Sequence, residues 1–121
     1  MRINPTTKTF PFRYCGEERT AKLLVRRYAQ PNNLALSIVV EDEEYGEEDV
    51  LFSVNIVPLP EGMTALDRNN YESYGLWQQI IELIRDNELG ICRGEIPSGY
   101  CMYPVFQFDI EKLKALATYE A

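Results

Sequence analysis

Seven carboxylates fall within nine residues of this chain: Glu41, Asp42, Glu43, Glu44, Glu47, Glu48 and Asp49, interrupted only by Tyr45 and Gly46. Clustered carboxylates can bind a hard cation, attract a basic partner or imitate the phosphate charge of a nucleic acid. A calcium site needs roughly six to eight oxygens at ordered positions. The run lacks the D-x-D-x-D-G spacing that supplies them, and neighbouring acids on an extended chain point in alternate directions. Mimicry of nucleic acid, with interference in host defence as its purpose, calls for acids spread along a surface rather than confined to one tip. The whole chain carries 19 acidic and 12 basic residues; without these seven the two kinds number 12 each, so the formal charge of −7 lies in this run. A charge run is most often a solvated face, and this one also blunts a hairpin edge. Its structural reading is a mobile, solubilising loop over residues 41–49. Its functional reading is a docking patch for an unknown protein partner, formed by the seven acids.

No other residue set makes a stronger case for chemistry. Histidine is absent, which removes the commonest general base and metal ligand. Cys15, Cys92 and Cys101 have no CxxC spacing, and an odd number cannot pair completely. A nucleophilic cysteine needs a neighbour that lowers its pKa; Arg93 beside Cys92 is the one suggestive case, and adjacent residues in a strand face opposite ways. Buried, inert thiols are the expectation. Glu82 and Asp86 lie one helical turn apart, where they could share acid and base roles, but on the polar face of an amphipathic helix solvation accounts for them. Lys22, Arg26, Arg27 and Tyr28 set cations beside an aromatic, yet a pI near 4.6 opposes approach to phosphate. A strand exposing bases to water accounts for them better. These readings point away from an enzyme, a cofactor, a metal and a nucleic-acid ligand.

The elements that must position these residues follow from periodicity. Residues 1–8 are polar and read as a frayed terminus. Phe10, Phe12 and Tyr14 alternate as a strand that Pro11 restricts to an edge, and Cys15-Gly16-Glu17-Glu18 reads as a turn. A strand from Thr20 to Gln30 ends at Pro31-Asn32-Asn33. The next strand sets Leu34, Leu36, Ile38 and Val40 on one face, and joining Leu23 and Val25 to that face carries Lys22 toward the acidic run. Centring the acidic hairpin near Tyr45 places Val50, Phe52, Val54 and Ile56 opposite Val40, Ile38, Leu36 and Leu34. Pro58-Leu59-Pro60 ends that strand, and a loop continues through Asn69-Asn70.

Leu76, Trp77, Ile80, Ile81, Leu83 and Ile84 then recur at helical spacing. They predict a helix of about 14 residues, capped by Ser73 and closed by Gly90 in the left-handed conformation. Residues 91–96 are extended and Pro97-Ser98-Gly99 turns the chain. Tyr100 to Phe108 is an aromatic strand broken at Pro104, and Asp109 caps a short helix bearing Ile110, Leu113, Leu116 and Ala117. No apolar run approaches the ~20 residues of a membrane-spanning helix. The polar opening, which does not read as a signal peptide, and the unpaired cysteines favour a reducing cytoplasm.

Ser53-Val54-Asn55-Ile56-Val57 through Pro60, the helix ending at Leu89-Gly90-Ile91, and above all Ser98-Gly99-Tyr100 with Tyr103-Pro104-Val105 before an aromatic strand resemble a small bacterial family of unknown function found on conjugative transposons, plasmids and phages. The likeness lies mainly in residues 53–108. It implies a mobile-element setting and an α+β domain, and transfers no catalytic or binding residue. The acidic run and the strand at Phe10–Tyr14 are not matched to that pattern.

The expectation is therefore one α+β domain over residues 1–121, an antiparallel meander of five to six strands with one main amphipathic helix on one face and a short C-terminal helix. Functionally it reads as an accessory or regulatory protein that binds another protein. The alternative is a small ligand-binding domain or enzyme with a pocket between sheet and helix. Oligomeric state is left open.

Overall fold

The computed structural model describes residues 7–42, 44 and 46–121, with the side chain of Tyr74 left out. It is α+β, with antiparallel strand pairs, a main helix and a short C-terminal helix. The strands divide between two sheets. The first begins with β1 (Thr9–Tyr14), β2 (Glu17–Arg27), β3 (Leu34–Asp42) and β4 (Gly46–Leu51), hydrogen-bonded in that order. The second has the order β5-β6-β8-β7, from β5 (Ser53–Val54), β6 (Met63–Leu66), β7 (Gly90–Ser98) and β8 (Cys101–Phe108). Helices α1 (Arg68–Tyr71), α2 (Leu76–Asp86) and α3 (Ile110–Leu116) complete the fold with β9 (Thr118–Tyr119), which pairs parallel to β2.

Alternation builds the core as expected. Leu23 faces Ile38 and Val25 faces Leu36; all four are buried, and one apolar cluster joins them to Leu66, Phe106 and Phe108, to Ile80 and Ile84 of α2, and to Leu113 and Leu116 of α3. Trp77 is only partly buried and packs against this cluster rather than inside it. Ala35, Ser37 and Val39 on the other face of β3 are buried too, so this strand is covered on both sides.

The β3–β4 register differs from expectation by two residues. Val50 lies opposite Ile38 rather than Val40, and Asp42 opposite Gly46. A two-residue shift leaves every side chain on its own face, so the apolar pattern cannot distinguish the two registers and turn length decides. As a result Glu41, Asp42, Glu47, Glu48 and Asp49 belong to strands, not to a loop over 41–49. Glu43 and Tyr45 lie outside the described residues, as do residues 1–6 of the expected frayed terminus. Lys8 is tied down, its amide donating to Leu116 O at 2.9 Å.

Beyond Leu51 the chain leaves the first sheet, and polar side chains replace the ladder. Phe52 N still donates to Leu36 O, at 2.9 Å. The Ser53 hydroxyl then accepts from Leu36 N at 2.9 Å and meets Tyr28 Oη at 2.8 Å. Buried Asn33 donates to Asn55 Oδ1 and Val57 O and accepts from Leu59 N, while Thr64 Oγ1 donates to Leu34 O. Buried backbone groups must be paired, and this crossover pairs them with hydroxyls and amides. The Ser53-Val54-Asn55 motif is thus structural.

Several local expectations are corrected. The presumed loop after Pro58 contains β6 and α1. Gly75, not Ser73, precedes α2, whose 11 residues end in a Schellman motif: Leu89 N donates to Ile84 O and Glu88 N to Arg85 O. The left-handed residue there is Glu88, with φ 52°. Gly90 already belongs to β7, and glycine is needed because a Cβ would meet Gln107 O at 2.8 Å. Pro104 does not break β8: it lies opposite Glu95, past the last β6 partner, Val105. The Asp109 cap is as expected, its Oδ1 accepting from Lys112 N at 3.2 Å.

Candidate functional site

Four acids of the run, Asp42, Glu47, Glu48 and Asp49, are held by their neighbours in the sheet. With Val40 and Val50 facing the core, alternation puts Asp42 and Glu48 on the core side and Glu41, Glu47 and Asp49 on the outer side. Each side is met by cations or a hydroxyl from β1 and β2. On the core side Arg19 Nη1 lies 2.7 Å from Asp42 Oδ2, and Tyr14 Oη donates to Glu48 at 3.1 Å. On the outer side Lys22 pairs with Glu47 at 3.4 Å and Arg26 with Asp49 at 2.8 Å. Burial, then the Glu48 hydrogen bond, pushes the Tyr14 phenol up to about 12. The sequence brings Lys22 toward these acids; the tertiary pairing adds Arg19, Arg26 and Tyr14.

Two further acids join the run from the β1–β2 hairpin. Cys15 and Gly16 both take positive φ there, at 53° and 79°, so a two-residue turn leaves Glu17 and Glu18 in β2. The sequence pattern places them in the turn; the structure places them in the strand. With Glu41, Asp42 and Glu44 they line a depression of about 610 Å³ around Arg19. Asp42 and Glu17 bind that guanidinium, which leaves Glu18, Glu41 and Glu44 with no ion pair among the described residues. Glu41 also stands directly opposite Glu47, an unfavourable like-charge pair. Among the described residues no three Asp, Glu or Cys side chains group as metal ligands do.

The remaining candidates disperse. Cys15 and Cys92 are exposed and Cys101 is half-buried, so the buried thiols expected from sequence are not found. Cys15 sits in a tight turn, and Cys92 lies over an open groove, positions that an apolar residue type does not by itself reveal. Arg93 Nε donates to Gln107 Oε1 at 2.9 Å rather than serving Cys92. Glu82 accepts from Gln78, and Asp86 from Arg85, as on an ordinary polar helix face. The bases of β2 are not simply bathed in water: Lys22, Arg26 and Arg27 bind Glu47, Asp49 and Glu61.

A second concave surface lies between α2 and the β7–β8 hairpin. Its volume is about 660 Å³, and it is lined by the apolar Ile81, Ile84, Phe106, Phe108, Ile91 and Cys92, with Arg85, Glu88, Arg93 and Asp109 contributing charge. Volume and apolar lining fall in the range of ligand pockets. No spacing in the sequence reveals it, because Phe106 and Phe108 come to face Ile81 and Ile84 of α2 across the groove only through the fold.

The fold and these two surfaces define a two-sheet α+β domain with an acidic depression and an apolar groove, and with no assembled catalytic constellation among the described residues. By sequence comparison the chain belongs to the family described as "Domain of unknown function (DUF4313)", whose model matches residues 22–120. The match extends well beyond the second half of the chain and begins within β2, so it omits β1. No curated protein and no solved structure matches. No helix among the described residues is long and apolar enough to cross a membrane.

Proposed function

We propose that this is a non-catalytic accessory or regulatory protein that acts by binding another protein, and that the acidic end of the first sheet is its docking surface. The observation that carries this reading is that Glu17, Glu18, Glu41, Asp42 and Glu44 line one depression with Arg19, whose guanidinium binds only Glu17 and Asp42. The other three, Glu18, Glu41 and Glu44, have no ion pair among the described residues and are open to a basic side chain of the partner. The setting we adopt is the cytoplasm of a bacterium carrying a mobile element, in line with the resemblance of residues 53–108. Nucleic-acid mimicry is disfavoured, since Asp42, Glu47, Glu48 and Asp49 are engaged by the chain's own groups on two faces of a sheet. The test is cross-linking capture in the native host, comparing the wild type with Glu18→Gln, Glu41→Gln and Glu44→Gln combined. Loss of one partner is expected; its undiminished recovery would remove the acidic end from the reading.

A second reading, a ligand-binding domain with its pocket between sheet and helix, is favoured by the apolar groove beside α2.

A further inference from the structure

Every sheet ends in strands whose outer backbone groups lack a partner, and proteins usually cover or charge such edges. This chain engages some of its own with side chains. Gln79 of α2 closes the outer side of β1, accepting from Arg13 N at 2.8 Å and donating to Arg13 O at 2.9 Å. Tyr71 Oη donates to Leu51 O on β4, and Asn69 Nδ2 to Met102 O on β8. Strand β7 has no such contact among the described residues. It ends the second sheet and pairs only with β8.

The apolar groove opens onto this bare edge. Gly90 and Cys92 face one side of the strand and Ile91 the other, yet all three line the groove together with Arg93. The end strand of the second sheet thus forms one wall of the groove. A bulge between Cys92 and Gly94 interrupts the pairing there and sets Arg93 at the rim. Ile91 is 56% exposed. Of the charged residues that line the groove, Arg85 is bound by Asp86, Glu88 by Lys112, and Asp109 caps α3, whereas Arg93 is a cation with no ion pair among the described residues.

Resting on the second reading above, we infer that the groove and the outer edge of β7 receive an extended peptide segment, which adds to the second sheet as another strand. Its apolar side chains enter the groove and its carboxylate meets Arg93. Unpaired strand amides and carbonyls select an extended backbone, the groove selects alternate apolar side chains, and the guanidinium selects an acid.

Random peptides of about ten residues, displayed on phage and panned against the full chain, should enrich apolar alternation with an Asp or Glu. A selected peptide, once synthesised, should slow amide exchange along β7. Arg93→Glu should weaken its binding about tenfold or more, the loss of one charge-assisted hydrogen bond, with an unchanged melting temperature. Arg93→Lys should retain most of the binding, and N-methylation of alternate peptide nitrogens should abolish it. The inference is overturned if no sequence is enriched, or if binding is indifferent to Arg93→Glu or to N-methylation. It is also overturned if decanoate binds the groove while no selected peptide does, or if sedimentation shows two copies of the chain paired through β7. Changes at Glu18, Glu41 and Glu44 should leave these peptides bound, so the failure of either reading is recognisable on its own. Loss of all groove ligands, peptide and decanoate alike, would sink the second reading as well.

Discussion

Strands β4 and β7 are both the last strands of their sheets, and they treat that position in opposite ways. Residues of β4 carry Glu47, Glu48 and Asp49, each bound by a group from β1 or β2, and Tyr71 caps its final carbonyl. Its single core residue, Val50, packs over a strand buried on both faces. By contrast β7 has a bare outer edge, an apolar groove at one end and, at the other, the exposed hairpin tip with Tyr100 and Met102. An edge saturated with charge resists pairing with another chain, whereas an edge flanked by exposed apolar surface invites it. The contrast separates a part of the molecule built for cohesion from a part left open.

Substitutions around the two edges should therefore differ most in stability. Ile38→Ala, on β3 directly opposite Val50 of β4, should lower the unfolding free energy by about 2–5 kcal/mol, whereas Tyr100→Ser at the β7–β8 tip should stay within about 0.5 kcal/mol; urea titration measures both. Equal losses would erase the distinction.

The pairs that hold the acidic hairpin should be graded by burial. Arg19 and Asp42 side chains are each 20% exposed, and Asp42→Asn should cost about 1–3 kcal/mol. The more open Arg26–Asp49 pair should contribute less than about 1 kcal/mol and fade with added salt. A double-mutant cycle on each pair gives the coupling directly, and a stronger Arg26–Asp49 coupling would contradict the ranking.

The Tyr14–Glu48 contact adds a pH signature. A phenol held up to about 12 in the fold, against 10 unfolded, keeps its proton where the unfolded chain has lost it. The stability this provides is complete below about pH 10 and declines as pH rises toward 12. Tyr14→Phe should flatten that part of the melting-temperature profile; an unchanged slope would show that the phenol is not held. The smallest effect expected is a gain. Glu41→Gln removes the repulsion with Glu47 directly opposite and should raise stability by about 0.2–1 kcal/mol, read as a higher melting temperature.

By itself the sequence determined which faces are apolar. Period-two alternation placed Leu23, Val25, Leu36 and Ile38 on one side, helical spacing placed Ile80 and Ile84 on one stripe, and Asp109 marked the last helix. These are local properties, since a side chain's direction along a strand or helix follows from its position in the repeat. Only the tertiary structure decided the β3–β4 register, because a two-residue shift preserves every face, and the departure of Ser53 into a second sheet, because the bonds that permit it come from Tyr28, Asn33 and Leu36. It likewise decided which acids are neutralised and which thiols are exposed. Charge partners and solvent cover arrive from residues distant along the chain, and no local pattern records their approach.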